Sequence, residues 1–188
     1  MANINVYTGP MKCGKSQKLF NELKRQLIAG KKLQVFKPII DDRNGIKIIS
    51  TRSGNSINAT CIKTIDELLD YNTDVYFIDE FQFLDGDVSV IEKMASEGKK
   101  FFIAGLNLTS EKKPFGKMGD LMCIADNIEI MTSICEVCKS DDAIYTYYEG
   151  KKNSDILVGD SNYIPVCRSC YNNLKSTKLK QTKKIINF

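Results

Sequence analysis

The run Gly9-Pro10-Met11-Lys12-Cys13-Gly14-Lys15-Ser16 satisfies G-x-x-x-x-G-K-[ST] at every fixed position. That spacing wraps backbone N–H groups around a chain of phosphates. Lys15 is placed to reach the β- and γ-phosphates of a nucleotide, and the Ser16 hydroxyl to hold Mg²⁺. A second group of chemically able residues closes the apolar stretch Val75-Tyr76-Phe77-Ile78, which ends in Asp79-Glu80. Asp79 is the candidate for orienting Mg²⁺ through water, and Glu80 for contacting an attacking group. The plain alternatives are a glycine turn with a surface lysine and a solvated strand end. The first leaves unexplained an apolar strand that runs straight into Gly9.

Cys135-x-x-Cys138 and Cys167-x-x-Cys170 form a third set. Each pair can turn back on one tetrahedral ion, so the four thiolates together suit a Cys₄ zinc site. The chain has no histidine, so all four positions would be sulfur and the metal structural, not water-activating. An iron–sulfur cluster and four unrelated core thiols are the other readings. Seven cysteines fit a disulfide framework poorly, and paired cysteines in a reducing compartment point to metal. Cys13, Cys61 and Cys123 read as small buried hydrophobes, with Cys13, beside Lys12 and Lys15, a candidate for reactivity.

These residues need elements to position them. Ile4 to Thr8 is a strand leading into the glycine loop, and Lys15 to Ala29 carries apolar residues at helical spacing, at Leu19, Phe20, Leu23, Leu27 and Ile28. Gly30 is the expected helix stop, followed by a strand at Leu33 to Phe36 closed by Lys37-Pro38. Ile46 to Ile49 and Ile57 to Cys61 supply a further strand or two, and Ile65 to Tyr71 a short helix. Val75 to Ile78 is a strand, Val88 to Ala95 a helix, and Phe101 to Ala104 a strand ending in Gly105. Strand-then-helix alternation with apolar strands predicts an α/β fold, a parallel sheet covered by helices on both faces. This nucleotide-binding core is expected over 1–131. A small zinc-bound subdomain with a loop that can close as a lid follows over 132–174, and a basic solvated tail over 175–188. Ala143 to Tyr148 and Ile156 to Val158 read as strands in the subdomain, with no long helical period beyond Ile130.

With 188 residues, 43% hydrophobic, the chain suits one substantial core plus an appendage. A net charge of +4, gathered largely in Lys175, Lys178, Lys180, Lys183 and Lys184, reads as a solvated tail before a nucleic-acid arm. No apolar run reaches bilayer length and no charged-then-apolar leader opens the chain, so a cytoplasmic protein is expected.

The Gly-Pro-Met opening of the phosphate loop, the strand ending Asp79-Glu80-Phe81-Gln82-Phe83 and the segment Tyr163-Ile164-Pro165-Val166-Cys167-Arg168-Ser169-Cys170-Tyr171 together resemble the type II thymidine kinases, the zinc-containing cytosolic family. The resemblance runs to about Leu174, through Lys37-Pro38, Asp41-Asp42-Arg43, Ser53-Gly54, Gly105-Leu106 and Pro114-Phe115-Gly116. It implies transfer of the ATP γ-phosphate to the thymidine 5′-hydroxyl, with Glu80 as proton acceptor. Nucleotide contacts are implied at the whole loop Gly9 to Ser16 and at Arg43, Asp79, Glu80, Phe81 and Gln82. Around the base it implies Met11, Phe83, Leu106, Phe115, Thr146 and Tyr163, four of which, Met11, Leu106, Thr146 and Tyr163, lie nearest the 5-methyl. A zinc-tethered lasso of Ile156, Leu157, Val158, Gly159, Asp160 and Ser161 would grip the base edge through its backbone. Homotetramers and feedback inhibition by thymidine triphosphate are implied by the same resemblance.

The chain departs from the family at Thr51-Arg52-Ser53-Gly54, at Asn107 where an aspartate is common, and at Lys12-Cys13 where an aromatic-serine pair is common. None of these removes a residue with an assigned chemical role. A P-loop ATPase whose zinc element grips nucleic acid is the rival reading, and a non-catalytic zinc-ribbon adaptor the third. The adaptor leaves Lys15, Ser16, Asp79 and Glu80 unexplained.

Overall fold

Short strands that are apolar on both faces need a neighbour on each edge and cover above and below. The computed structural model, which describes residues 3–41, 48–50, 56–150 and 162–186, satisfies that need with an α/β architecture. In chain order its elements are β1 (Ile4–Thr8), α1 (Lys15–Ile28), β2 (Leu33–Pro38), β3 (Ile48–Ser50), β4 (Ser56–Asn58), β5 (Thr60–Ile62) and β6 (Val75–Ile78). There follow α2 (Ser89–Ser96), β7 (Lys100–Gly105), α3 (Met118–Ile124), β8 (Asn127–Ile130), β9 (Tyr145–Tyr148), β10 (Tyr163–Val166) and α4 (Arg168–Ile186). Six strands pair in the order β5-β2-β6-β7-β1-β8, every pair parallel.

The period of two along each strand feeds two separate cores. Tyr76 and Ile78 of β6 join Ile4, Val6, Phe36, Phe101 and Ile103 on the face covered by α2 and α3, through Ile91, Met94, Met118 and Leu121. Val75 and Phe77 point the other way, to Tyr7, Phe102 and Ala104 and to Leu19 and Leu23 of α1. Gly30 ends α1 as expected: at φ +67 it donates to Leu27, and Lys31 donates to Gln26, the paired bonds of a Schellman motif.

Several elements differ from the sequence reading. The short helix after Thr64 is a 3-10 segment, Ile65–Asp70, with the Glu67 carboxylate reaching back to the Thr64 N–H at 3.1 Å. Neither α3 nor β8 was expected. The first is only seven residues long, too short to show a helical period, and the second lies mostly exposed at the sheet edge. Beyond Ile130 a long helix does occur, α4, which takes in much of the basic run expected as a tail. The residues of its first turns that pack, Cys170, Tyr171 and Leu174, are too few to announce a helical period. The expected strand at Ile156 to Val158 lies outside the described residues. Of the three cysteines expected in cores, Cys13 is buried, Cys61 half-buried and Cys123 exposed on α3.

Glycine is required where backbone crosses backbone. A Cβ on Gly116, at φ +51, would lie 2.2 Å from the Gln82 carbonyl oxygen, whereas one on Gly98, at φ +91, would meet nothing within 4 Å. Gly98→Ala is expected to cost only the left-handed backbone strain, about 1–2 kcal/mol. Gly116→Ala adds overpacking of a further ~1–3 kcal/mol. Urea midpoints of the two variants against the parent check the difference.

Candidate phosphate-transfer site

The phosphate loop hangs between β1 and α1, and its shape follows from what presses on it. Gly9 adopts φ +143, and a Cβ there would lie 2.3 Å from the Met131 carbonyl oxygen just past β8. The Met131 N–H also donates to Thr8 at 2.7 Å, and the Thr8 hydroxyl to the Gly105 carbonyl at 2.9 Å. The loop thus leaves the sheet pinned to both neighbouring strands. Gly14, at φ +91, turns the chain into α1, whose first N–H groups face the loop. Lys15 curls back so that its ammonium donates to the carbonyls of Pro10 at 2.7 Å and Gly9 at 3.4 Å. It therefore sits at the loop interior.

β6 delivers Asp79 almost fully buried, and the Glu80 N–H donates to its carboxylate at 3.0 Å. The Ser16 side chain lies near enough to the same carboxylate to lower its pKa, which brings the phosphate loop up to the acid-bearing strand. Burial first, then the adjacent Glu80 charge, push the Asp79 carboxyl up to about 7, against the lowering effects of Ser16, the Glu80 N–H and Lys15. Glu80 holds a left-handed backbone, φ 53 and ψ 38, a conformation a non-glycine residue adopts at a cost. Its carboxylate accepts from the Gln82 side-chain NH₂ at 2.5 Å, and the Gln82 side-chain oxygen Oε1 accepts from the Leu106 N–H at 2.9 Å. Gln82 therefore ties Glu80 to the end of β7.

The aromatic residues gather nearby. Phe83 and Phe115 meet edge to face at 5.3 Å, and Phe115 is held by its N–H to the Asn107 carbonyl at 3.1 Å. Met11 donates its N–H to the Thr146 hydroxyl at 2.9 Å, so the loop touches β9 directly. Tyr163 opens β10 and packs its ring on Tyr148 at 4.8 Å. Phe81 is buried in the main core, which leaves only its backbone to face a nucleotide. Arg43 and the segment Ile156 to Ser161 lie outside the described residues. The buried pair Lys37 and Asp41, 3.7 Å apart just before Arg43, drew no assignment of its own from the sequence. A lysine closing an apolar strand was the available signal.

The four sulfurs of Cys135, Cys138, Cys167 and Cys170 lie within 4.8 Å of one another. A tetrahedral zinc with Zn–S of about 2.3 Å spaces its sulfurs by about 3.8 Å, and Cys138 and Cys167 stand at 3.8 Å. The Cys170 N–H donates to the Cys167 sulfur at 3.5 Å. Four thiols at this spacing suit a divalent cation held entirely by sulfur, a structural centre.

Residues 2–171 match the family described as "Thymidine kinase". The chain belongs to that family. It is also 32% identical over 178 residues to a protein named "Thymidine kinase" from Pseudothermotoga lettingae, an alignment covering 92% of this chain and 96% of the relative. Family membership thus spans both the sheet and the cysteine cluster. What the motifs could not reveal in this thymidine kinase family member are contacts made across the fold, such as Gln82 with Leu106, or Glu136 with Lys12 at 2.6 Å. They join residues far apart in sequence, and no spacing rule announces them.

A raised carboxyl pKa has a signed consequence. Between the unfolded value near 3.8 and the folded value near 7, the folded chain holds a proton that the unfolded chain has lost, so Asp79 erodes stability as pH rises through that window. Asp79→Asn is expected to raise the melting temperature at pH 8, with the gain vanishing below about pH 4, while phosphoryl transfer is lost. Melting curves across pH and a turnover assay test both halves.

Proposed function

We propose that this chain transfers the γ-phosphoryl group of ATP to the 5′-hydroxyl of thymidine, giving thymidine monophosphate and ADP. One observation carries the reading: the phosphate loop, with Lys15 folded into it and Ser16 near the buried Asp79 carboxylate, meets the end of β6, where Glu80 stands beside Asp79. Family membership and the relative's name support thymidine as acceptor.

In this reading the loop amides of Gly9 to Ser16 and the Lys15 ammonium receive the β- and γ-phosphates, with Arg43, Phe81 and Gln82 adding contacts. Ser16 and Asp79 would hold Mg²⁺, which neutralises charge as the phosphoryl group moves. Glu80 accepts the proton of the 5′-hydroxyl while the new O–P bond forms in line with the breaking bond to ADP; alignment contributes more than deprotonation in a loose transition state. Gln82 holds the carboxylate for that contact. Phe83 and Phe115 would flank the base, Met11, Leu106, Thr146 and Tyr163 would surround its 5-methyl, and the backbone of 156–161 would pair with its edge. Fixed backbone donors and acceptors select a base by leaving wrong partners unpaired.

The zinc centre belongs to the 132–174 subdomain beside a 1–131 core, with 175–188 beyond. A homotetramer, feedback inhibition by thymidine triphosphate and a cytoplasmic location complete the proposal, without nucleic acid as partner. No helix among the described residues is long and apolar enough to cross a membrane.

Purified zinc-loaded protein with ATP·Mg²⁺ and a nucleoside panel, following ADP and nucleoside monophosphate together, is the test. Thymidine is expected to react far ahead of other nucleosides, and Glu80→Gln to lower turnover by about 10²–10⁴-fold with nucleotide binding retained. ADP formed without nucleoside monophosphate, or only with nucleic acid added, would sink the kinase reading. Full turnover in Glu80→Gln would remove Glu80 from its role.

A further inference from the structure

Lys12 stands where the resembled family commonly has an aromatic residue, and nothing in the phosphoryl-transfer chemistry explains it. It is exposed and holds a left-handed backbone at φ 64, a conformation that a lysine does not keep without outside support. Three contacts from the cysteine subdomain give it support. The Lys12 ammonium pairs with Glu136 at 2.6 Å, the Lys12 carbonyl accepts from the Ser133 hydroxyl at 3.2 Å, and the preceding Met11 N–H donates to Thr146 at 2.9 Å. Glu136 lies between two of the clustered cysteines, Cys135 and Cys138. Its own N–H donates to the Pro165 carbonyl at 3.0 Å, and its carbonyl accepts from Lys139 at 2.8 Å. The carboxylate that holds Lys12 therefore projects from backbone whose path is set by the metal-ligating knuckle.

We propose that Lys12 and Glu136 form a strap by which the four-cysteine knuckle holds the phosphate loop in its nucleotide-binding shape. The inference rests on the reading of 9–16 as a phosphate loop, though not on the identity of the phosphoryl acceptor. Two equilibria are then coupled through one ion pair. Losing the strap weakens nucleotide binding, and, since metal in the knuckle favours the strap, bound nucleotide raises the affinity of the knuckle for metal by the reciprocity of linked equilibria. Simple electrostatics makes the opposite forecast for one residue. A carboxylate close to a site for anionic phosphates repels them, so neutralising Glu136 would tighten nucleotide binding if its charge acted directly.

Glu136→Gln is therefore the deciding variant, with Lys12→Met and the double variant completing a cycle and Arg25→Gln, which breaks the exposed pair with Glu22 on α1, as control. ADP·Mg²⁺ affinity is measured by calorimetry on zinc-loaded protein, and zinc affinity by equilibrium competition with a coloured chelator, with and without ADP. The expected result is binding weakened by about threefold to fivefold in each single variant, the span of an exposed ion pair. The double variant should be no weaker than the singles, and Arg25→Gln unchanged. ADP should tighten zinc binding in the parent and do so less in Glu136→Gln. Unchanged or tighter binding in Glu136→Gln overturns the strap, as does a loss confined to Lys12→Met, which would make Lys12 a direct phosphate contact. A parent protein that binds no ADP removes the phosphate-loop reading and the strap with it.

Discussion

Burying the Asp79 carboxylate is the constraint around which the site is arranged. An ionised carboxylate taken out of water loses hydration that only hydrogen bonds, opposite charge or a cation can replace. The Ser16 hydroxyl, the Glu80 N–H and the Lys15 charge all act in that direction, yet burial and the Glu80 charge still push the group up to about 7. The offset is incomplete by design of the local chemistry, since every remaining source of compensation is a ligand. A divalent cation beside Ser16 and Asp79, as proposed, would supply the missing charge, and phosphates bound with it would satisfy Lys15 and the helix N-terminus. Stability is held back at this position in favour of binding, as strained and perturbed groups at functional sites commonly show.

Holding two acids side by side at a strand end requires the backbone to turn sharply, and the left-handed Glu80 is where it turns. That turn is sustained by what encloses Gln82. Its side chain bridges the Glu80 carboxylate and the Leu106 N–H, while Gly105 and Gly116 leave room for it that no side chain could share. A Cβ on Gly105 would lie 2.9 Å from the Gln82 amide oxygen and 2.6 Å from the Met118 sulfur. The ends of β6 and β7 and the approach to α3 are thereby one rigid piece. Glu80 is oriented by packing, and no flexible search is needed to find its geometry.

Much of this was legible in the sequence because it is local. The phosphate loop, the acid-bearing strand and the cysteine pairs announce themselves through fixed spacing, and the parallel sheet through strands apolar on both faces, Val75 to Ile78 above all. Gly30 stopped α1 for the reason read from it. What escaped was short, edge-placed or long-range. β8, Asn127-Ile128-Glu129-Ile130, is only four residues long and mostly exposed, α3 has too few residues to show a period, and α4 is polar and lysine-rich beyond its packed start. In the site, the roles of Gln82 and Glu136 depend on partners some twenty-four and one hundred and twenty-four residues away, which no motif encodes.

The cysteine subdomain also shows why a kinase of this size needs a metal. Among the described residues its buried core is Cys135, Ala143, Tyr145, Tyr147, Val166, Cys167 and Tyr171, two of them ligand cysteines, with Leu108, Ile144, Ile164, Cys170 and Leu174 packed against it. A core of this size offsets only part of the entropy of ordering the segment. A metal that binds only the folded arrangement contributes its binding energy to folding, which makes the cluster a condition of structure there. Thr146 and Tyr163 lie on the paired strands β9 and β10 that this cluster closes. The Thr146 hydroxyl accepts the Met11 N–H of the phosphate loop, so the wall proposed for the base and the cradle proposed for the phosphates are ordered by the same event. Sulfur chemistry at one end of the molecule thereby sets the spacing between the two halves of the phosphoryl-transfer site.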